Sequence, residues 1–214
     1  MTVKKRSNQD IVYDYVKNLI ASKAIFPGNR IPDEEIIQQT GVSRSSIRPA
    51  LVRLSYDGLV EIIPNRGAFV VKPDAEDMRQ VFRIREVLEA GALREACKNR
   101  TGRQLQAMAR NLKEQEQLLG DYTRSRYVVL NHEFHWIIAQ AAQNFYYEKY
   151  LNEIFNKLNT YLIFYDNSVE NNSMESHTMI YEALRDRDVD RALQGLAADL
   201  HIALDDMRKD GMDI

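Results

Sequence analysis

The chain has 214 residues, of which 44% are apolar and 28% charged, and its formal net charge is −2. That composition is ordinary for a globular protein with a real core, and no apolar run approaches the ~18 residues that a membrane-spanning helix needs. The single cysteine, Cys97, excludes an internal disulfide framework, and the opening MTVKKRSNQD lacks the apolar stretch of a secretory signal, so a cytoplasmic protein is expected.

From Asp10 to Lys23, apolar residues recur at helical spacing (Ile11, Tyr15, Leu19, and Val12, Val16, Leu19), which predicts a helix. FPGNRIP breaks it with Pro27-Gly28 and Pro32. DEEIIQQT is a short helix with an acidic start suited to the positive end of the helix dipole, and Gly41 stops it. Ser43 stands where an N-cap belongs for a third helix that runs to about Asp57. LVEII and AFVV then flank Pro64-Asn65-Arg66-Gly67 as a hairpin. Three helices and a two-stranded ribbon make the order of a winged helix-turn-helix. Beyond Pro73 the pattern is all helix, over about 75–99, 102–119, 123–143, 145–167, 174–187 and 188–209. The fold class predicted is therefore mainly α: an N-terminal winged helix-turn-helix (1–73) followed by an all-α antiparallel helical bundle (74–214). Cys97 falls in the first bundle helix and reads as a small buried hydrophobe.

The two parts differ in charge. Residues 1–73 hold eleven Lys and Arg against seven Asp and Glu, or +4, while the remainder carries −6. A basic first third on an acidic remainder points to a polyanion as the partner of the first part alone.

A helix entering a major groove needs polar and basic side chains on its first turns and apolar ones behind. Arg44, Ser45 and Arg48 can lie outward while Ile47, Leu51 and Leu54 point inward. The planar fork of Arg can bond guanine O6 and N7 together, and Ser43 and Ser46, with the N–H groups of the helix start, suit phosphates. At the hairpin tip, Gly67 allows close backbone approach and Arg66 can enter a minor groove. Pro49 removes one backbone hydrogen bond well inside this helix, which predicts a bend near Ser45 and leaves the target of Arg48 open.

FPGNRI, GVSRSSIRPALVRLSYDGLV and PNRGAFV together resemble the GntR-type bacterial regulators, and residues 74–214 look like the FCD (FadR C-terminal) ligand-binding domain that accompanies this winged helix. The resemblance implies a dimeric, ligand-responsive transcription factor, most simply a repressor, bound to a near-palindromic DNA operator. It also implies that Arg44 and Arg48 take base- and backbone-contacting positions and that Gly67 is the wing tip. Pro49 departs from the family pattern, which usually has Glu there.

In the bundle, polar residues that interrupt apolar stripes are the informative ones. Arg85 interrupts Val81, Leu88 and Ala92, with Glu89 one turn on. Asn131 and His135 share a face with Val128, Ile138 and Ala142, and His177 lies on the stripe of Met174, Ile180 and Leu184. Spacing alone makes these weak metal candidates, since a lone His on an apolar face is usually a satisfied core residue. LNHEFHWIIAQAAQN and SHTMIYEALRDRDVDRA look like the two FCD segments that supply metal ligands. The resemblance implies a ligand set of Asn131, His135, His177 and a further residue about 22 positions later, where the family has His and this chain has Asp199. On a helical wheel, Asp199 and His201 flank the apolar face of the last helix ~200° apart, so only one can face the site. Asp199 matches the register and lies nearer the apolar centre; a carboxylate is a normal ligand for Zn²⁺ or Mn²⁺. His132 points away and is expected at the surface.

The resulting expectation is a divalent metal (Zn²⁺, Ni²⁺ or Mn²⁺) in the bundle, with Arg85 clamping the carboxylate of a small hydroxy- or keto-acid effector. A plainer reading pairs Arg85 with Glu89 and bonds both histidines to backbone carbonyls. Two other functions use the same residues: a hydrolytic enzyme whose metal activates water, and a bundle whose metal serves only dimerisation. No nucleophile–base motif and no phosphate loop support the enzyme.

Overall fold

The computed structural model describes residues 6–72, 74–165 and 173–209. Contacts divide the chain into two compact units, Met1–Pro73 and Asp74–Ile214.

The first unit runs α1 (Asn8–Ala21), α2 (Asp33–Thr40), α3 (Arg44–Tyr56), β1 (Val60–Ile63) and β2 (Gly67–Val70). Helix α1 begins earlier than its apolar periodicity suggests, because Ser7 and Asp10 cap it reciprocally: Ser7 Oγ accepts from the Asp10 N–H and Asp10 Oδ2 accepts from the Ser7 N–H. Its buried stripe is Val12, Val16 and Ile20, one residue round from the Ile11–Tyr15–Leu19 line. Gly41 ends α2 at φ 68, a left-handed conformation that glycine takes without steric cost. Behind it, Ile47, Leu51 and Leu54 of α3 face the core as expected. The helix continues through Pro49 to Tyr56; proline costs it the hydrogen bond to the Ser45 carbonyl, and both residues are exposed. Strands β1 and β2 pair antiparallel, with Val60 opposite Val70 and Ile63 opposite Gly67. Arg30 adds a single bridge to Phe69.

The second unit comprises α4 (Ala75–Asn99), α5 (Gly102–Leu118), α6 (Arg124–Ala141), α7 (Phe145–Tyr165), α8 (Met174–Asp186) and α9 (Val189–Lys209). The sequence-predicted end of the fourth of these helices, at 167, lies outside the described residues. Residues such as Met78, Leu93, Met108, Phe134, Leu151, Ile180 and Leu196 build one continuous core, and Cys97 is buried in it. Helices α8 and α9 approach closely at Gly195, where a Cβ would stand 2.7 Å from Ile180 Cγ1 and 3.3 Å from the Ser176 carbonyl oxygen. That approach brings the Ser176–His177 turn of α8 against Asp199 of α9. Among the described residues no helix is long and apolar enough to cross a membrane.

Candidate functional site

In the first unit, the start of α3 is open. Ser43 occupies the N-cap position in extended conformation, but its side chain makes no capping bond, contrary to the expectation from sequence. Its Oγ lies 2.8 Å from Ser45 Oγ and 3.3 Å from Ser46 Oγ instead. First-turn N–H groups left without a side-chain acceptor favour an anion. Arg44 and Arg48 are exposed, and Ser46 is half-buried. Arg44 lies 3.8 Å from Glu34, with both side chains in solvent, a pairing of little net worth. At the hairpin, Arg66 is exposed, its guanidinium 5.7 Å from the centre of the Phe69 ring. Gly67 has φ 110, and a Cβ there would meet Arg30 Nε at 3.0 Å. Arg30 thus shares the wing surface. Sequence reading passed over it because it lies before the hairpin, although the single bridge to Phe69 carries it there.

The second unit gathers Arg85, Glu89, His135, His177 and Asp199, which are 4%, 3%, 1%, 0% and 2% exposed. They come from α4, α6, α8 and α9, each standing in the apolar stripe of its helix. Arg85 is bonded on both sides: one Nη donates to Asp199 Oδ2 at 2.8 Å, and Nε donates to Glu89 Oε1 at 3.3 Å. The same Nη lies 3.1 Å from His135 Nε2, so that nitrogen offers its lone pair and the ring proton sits on Nδ1. Nδ1 faces Glu89 Oε1 at 3.1 Å but off the line of a hydrogen bond. On the other side, His177 Nδ1 bonds Gln115 Oε1 at 2.9 Å, and the ring stacks on Phe134 at 4.1 Å between centroids. Ser176 Oγ donates to Asp199 Oδ1 at 3.3 Å.

The electrostatics follow from burial and partners. Burial pushes the His177 imidazole below its ordinary range, and the neighbouring Asp199 carboxylate opposes this without reversing it. For Asp199 burial alone would raise the carboxyl, but its neighbours, among them the Arg85 guanidinium bonded to Oδ2, hold it well below the usual carboxylate range. Glu89 is likewise raised by burial and brought down, chiefly by Arg85. Arg85 thus stands as a cation between two buried carboxylates, and burial disfavours a second cation at His177.

A metal can be tested against this arrangement. Ligating atoms of His135, His177 and Asp199 all lie within 4.8 Å of one another. His177 Nε2, with its proton on the other nitrogen, stands 3.2 Å from Asp199 Oδ1, and it is buried without a hydrogen bond. Two ligating atoms side by side in a dry site, one of them outside any hydrogen bond, suit a shared cation. The residues fit a divalent ion: two imidazoles and a carboxylate, beside one arginine that already serves two carboxylates. Asn131, half-buried one turn before His135, lines a pocket with Arg85 and Asp199; Phe82, Phe155 and Leu158 form apolar wall.

Of the two residues left open on the last helix, Asp199 faces the cluster, while His201 is exposed and pairs with Asp205 at 3.2 Å. His132 corrects the expectation of a surface residue: it is half-buried, its ring 5.5 Å from that of Phe155. The plainer reading of Arg85 is half met. Arg85 does pair with Glu89 but equally with Asp199, and the ring contacts of both histidines run to side chains. Gln115 and Asn111 were missed altogether; they lie on the buried stripe of α5 with Met108, Leu112 and Leu118.

A winged helix followed in the chain by an all-helical bundle is the domain order of a class of bacterial transcription regulators. The chain belongs to the GntR family: the pattern of bacterial regulatory proteins of the gntR family matches residues 8–70, and the FCD domain matches residues 80–202. It is 31% identical to the Nta operon transcriptional regulator of Aminobacter aminovorans over 118 residues, 55% of this chain and 56% of that protein. It is 29% identical to the HTH-type transcriptional repressor RspR of Escherichia coli over 135 residues, 63% and 59% of the two chains. These matches thus span less than two-thirds of the relatives' length. The fold is that of E. coli McbR/YncC, with a TM-score of 0.79 at 19% identity, covering 95% of this chain and 98% of the other. Family and fold are those of transcription regulators, not of enzymes.

Proposed function

We propose that the chain is a DNA-binding repressor whose bundle senses a small carboxylate through a divalent metal. The observation that carries this reading is the pair of ligating atoms His177 Nε2 and Asp199 Oδ1, buried 3.2 Å apart with Nε2 outside any hydrogen bond and His135 within ligating reach of both. His135, His177 and Asp199 would hold the ion, with the Asn131 side chain as a neutral oxygen at the pocket wall. When bound, the metal supplies two positive charges and open positions for the carboxylate and hydroxyl of a hydroxy- or keto-acid. Arg85 supplies a planar, permanently charged fork that lines the same pocket and suits a second bond to that carboxylate. Apolar walls at Phe82, Phe155 and Leu158 keep water from competing.

In the first unit, Arg44 and Arg48 on α3 would face bases and backbone in a major groove, Ser43 and Ser46 a phosphate, and Arg66 with Gly67 a minor groove. One winged helix reads too few base pairs to be selective in a genome, so the working form is a homodimer on a near-palindromic site. The name of the repressor RspR supports the sign of regulation. Such a protein works in the cytoplasm, where its operator is.

The double variant His135→Ala/His177→Ala tests the sensing half. Purified protein is expected to lose its stoichiometric metal and, with it, the response of operator binding to a panel of hydroxy- and keto-acids. Native metal content together with an intact response would sink the reading. Loss of metal and of thermal stability, with no carboxylate affecting the parent protein, would point to a metal used only to hold the bundle together.

A further inference from the structure

The tautomer of His177 is set by a relay that begins a helix away. Asn111 Nδ2 lies 3.1 Å from the Leu130 carbonyl oxygen and 3.1 Å from Glu133 Oε2. Both are acceptors, so the NH₂ of the Asn111 amide must point there and its oxygen must point back. That oxygen, Oδ1, accepts from Gln115 Nε2 at 2.7 Å. With its NH₂ so committed, Gln115 turns Oε1 toward His177 Nδ1, 2.9 Å away. An amide oxygen cannot donate, so Nδ1 must carry the proton, and Nε2 is left with a bare lone pair on the side of Asp199. Free imidazole side chains favour the opposite tautomer, with the proton on Nε2, which cannot bind a metal through that atom. Each amide's orientation is therefore fixed by the next, back to a backbone carbonyl that has no alternative.

We infer that Gln115 and Asn111 are positioning residues that hold His177 in the one tautomer able to take up a cation, although neither belongs to the ligand set. The inference rests on the metal reading above. Burial sharpens it: Asn111 is 2% and Gln115 0% exposed, so no solvent competes for the relay. Its neutral amides orient the ring without adding charge, whereas a carboxylate in their place would bring a further buried negative charge beside Glu89 and Asp199. The stack on Phe134 fixes the plane of the same ring, and the relay fixes its rotation and proton. Partners of this kind are worth roughly 10–100-fold in metal affinity where they have been removed.

The test uses the full chain and Co²⁺ or Zn²⁺ as the probe. ¹⁵N NMR of the metal-free parent protein should find His177 protonated on Nδ1; protonation on Nε2 would overturn the relay whatever any variant does. Gln115→Leu, which keeps volume but removes the acceptor, should weaken Co²⁺ binding 10–100-fold in chelator competition and alter the Co²⁺ visible spectrum. Gln115→Glu restores an acceptor for Nδ1 but sets a second oxygen against Asn111 Oδ1, so it should bind Co²⁺ more tightly than Gln115→Leu and less tightly than the parent. A Gln115→Leu affinity within twofold of the parent would overturn the relay and leave the metal reading standing. A parent protein with the Nδ1 proton in place but no uptake of Co²⁺ or Zn²⁺ would overturn the metal reading, and with it the role in metal capture assigned here.

Discussion

The two units use arginine in opposite ways. In the winged helix, Arg44, Arg48 and Arg66 stand in solvent, and the nearest acidic group to Arg44 is too distant and too wet to hold it. In the bundle, Arg85 is buried to 4% exposure and bonded to two carboxylates and an imidazole. A charge in water interacts weakly with its own protein and remains available to a polyanion; a charge in a dry core must be matched where it sits. Arg44, Arg48 and Arg66 are thus structurally idle where Arg85 is indispensable. Substitutions should separate the two uses cleanly.

The largest expected effect is at Arg85. Arg85→Met leaves Glu89 and Asp199 buried without their cation, and removing one partner of such a cluster typically costs ~3–5 kcal/mol. In chelator-treated protein the bundle should lose stability by about that amount, read by the fluorescence of Trp136, the only tryptophan in the chain. Added Zn²⁺ should return more stability to this variant than to the parent, because a divalent ion supplies the charge that Arg85 no longer brings. An unchanged unfolding midpoint without metal would break the contrast at its stronger end.

How far these sites could be read in advance depended on whether the signal was local. The winged helix is written in contiguous features: the Pro-Gly break, Gly41 at φ 68, and the β-branched runs around the hairpin. Asp199 was legible because a helix has one period, which sets it apart from His201. Arg85 stood out as a charge within an apolar stripe. What α1 and α5 did was less visible. The Ser7–Asp10 cap extends α1 through polar residues that carry no apolar period. Asn111 and Gln115 are polar residues at i and i+4, which on an exposed helix would mean nothing; their meaning comes from α6 and α8, whose placement no local pattern gives. The Arg30–Gly67 approach is a tertiary contact of the same kind.

Arg44 should show the reverse of Arg85. Arg44→Ala is expected to leave thermal stability within ~0.5 kcal/mol of the parent, as exposed substitutions usually do. Its cost should appear in operator binding instead, at ~1–3 kcal/mol per lost bidentate base contact, with relaxed specificity at one position of each half-site. If Arg44 meets a phosphate rather than a base, binding weakens evenly across sequences and the slope of log K against log salt falls by about 0.9 per contact. Unchanged operator affinity would refute the assignment of α3 as the recognition helix.

The smallest effect lies between these extremes, at a group neither buried nor free. Tyr13 on α1 donates its phenol proton to Asp57 Oδ2 at 2.6 Å, and the Arg53 guanidinium lies 4.0 Å over its ring. Partial burial and the bond to Asp57 push the phenol up to about 12 from its ordinary 10. A raised folded pKa means that the folded state holds the proton more tightly than the unfolded one. The stabilisation is therefore complete below about pH 10 and is lost as pH climbs toward about 12. Because the group is partly exposed, water screens the interaction, and its worth at neutral pH should fall at or below the ~0.5–1.5 kcal/mol of an ordinary hydrogen bond. Tyr13→Phe should lower the urea midpoint of the first unit by that modest amount at pH 8, followed on the Val16 and Ile36 methyl resonances. The difference from the parent should shrink as pH rises above 10. A gap that stays constant to pH 12 would mean that ring packing under Arg53, not the proton shared with Asp57, ties α1 to the end of α3.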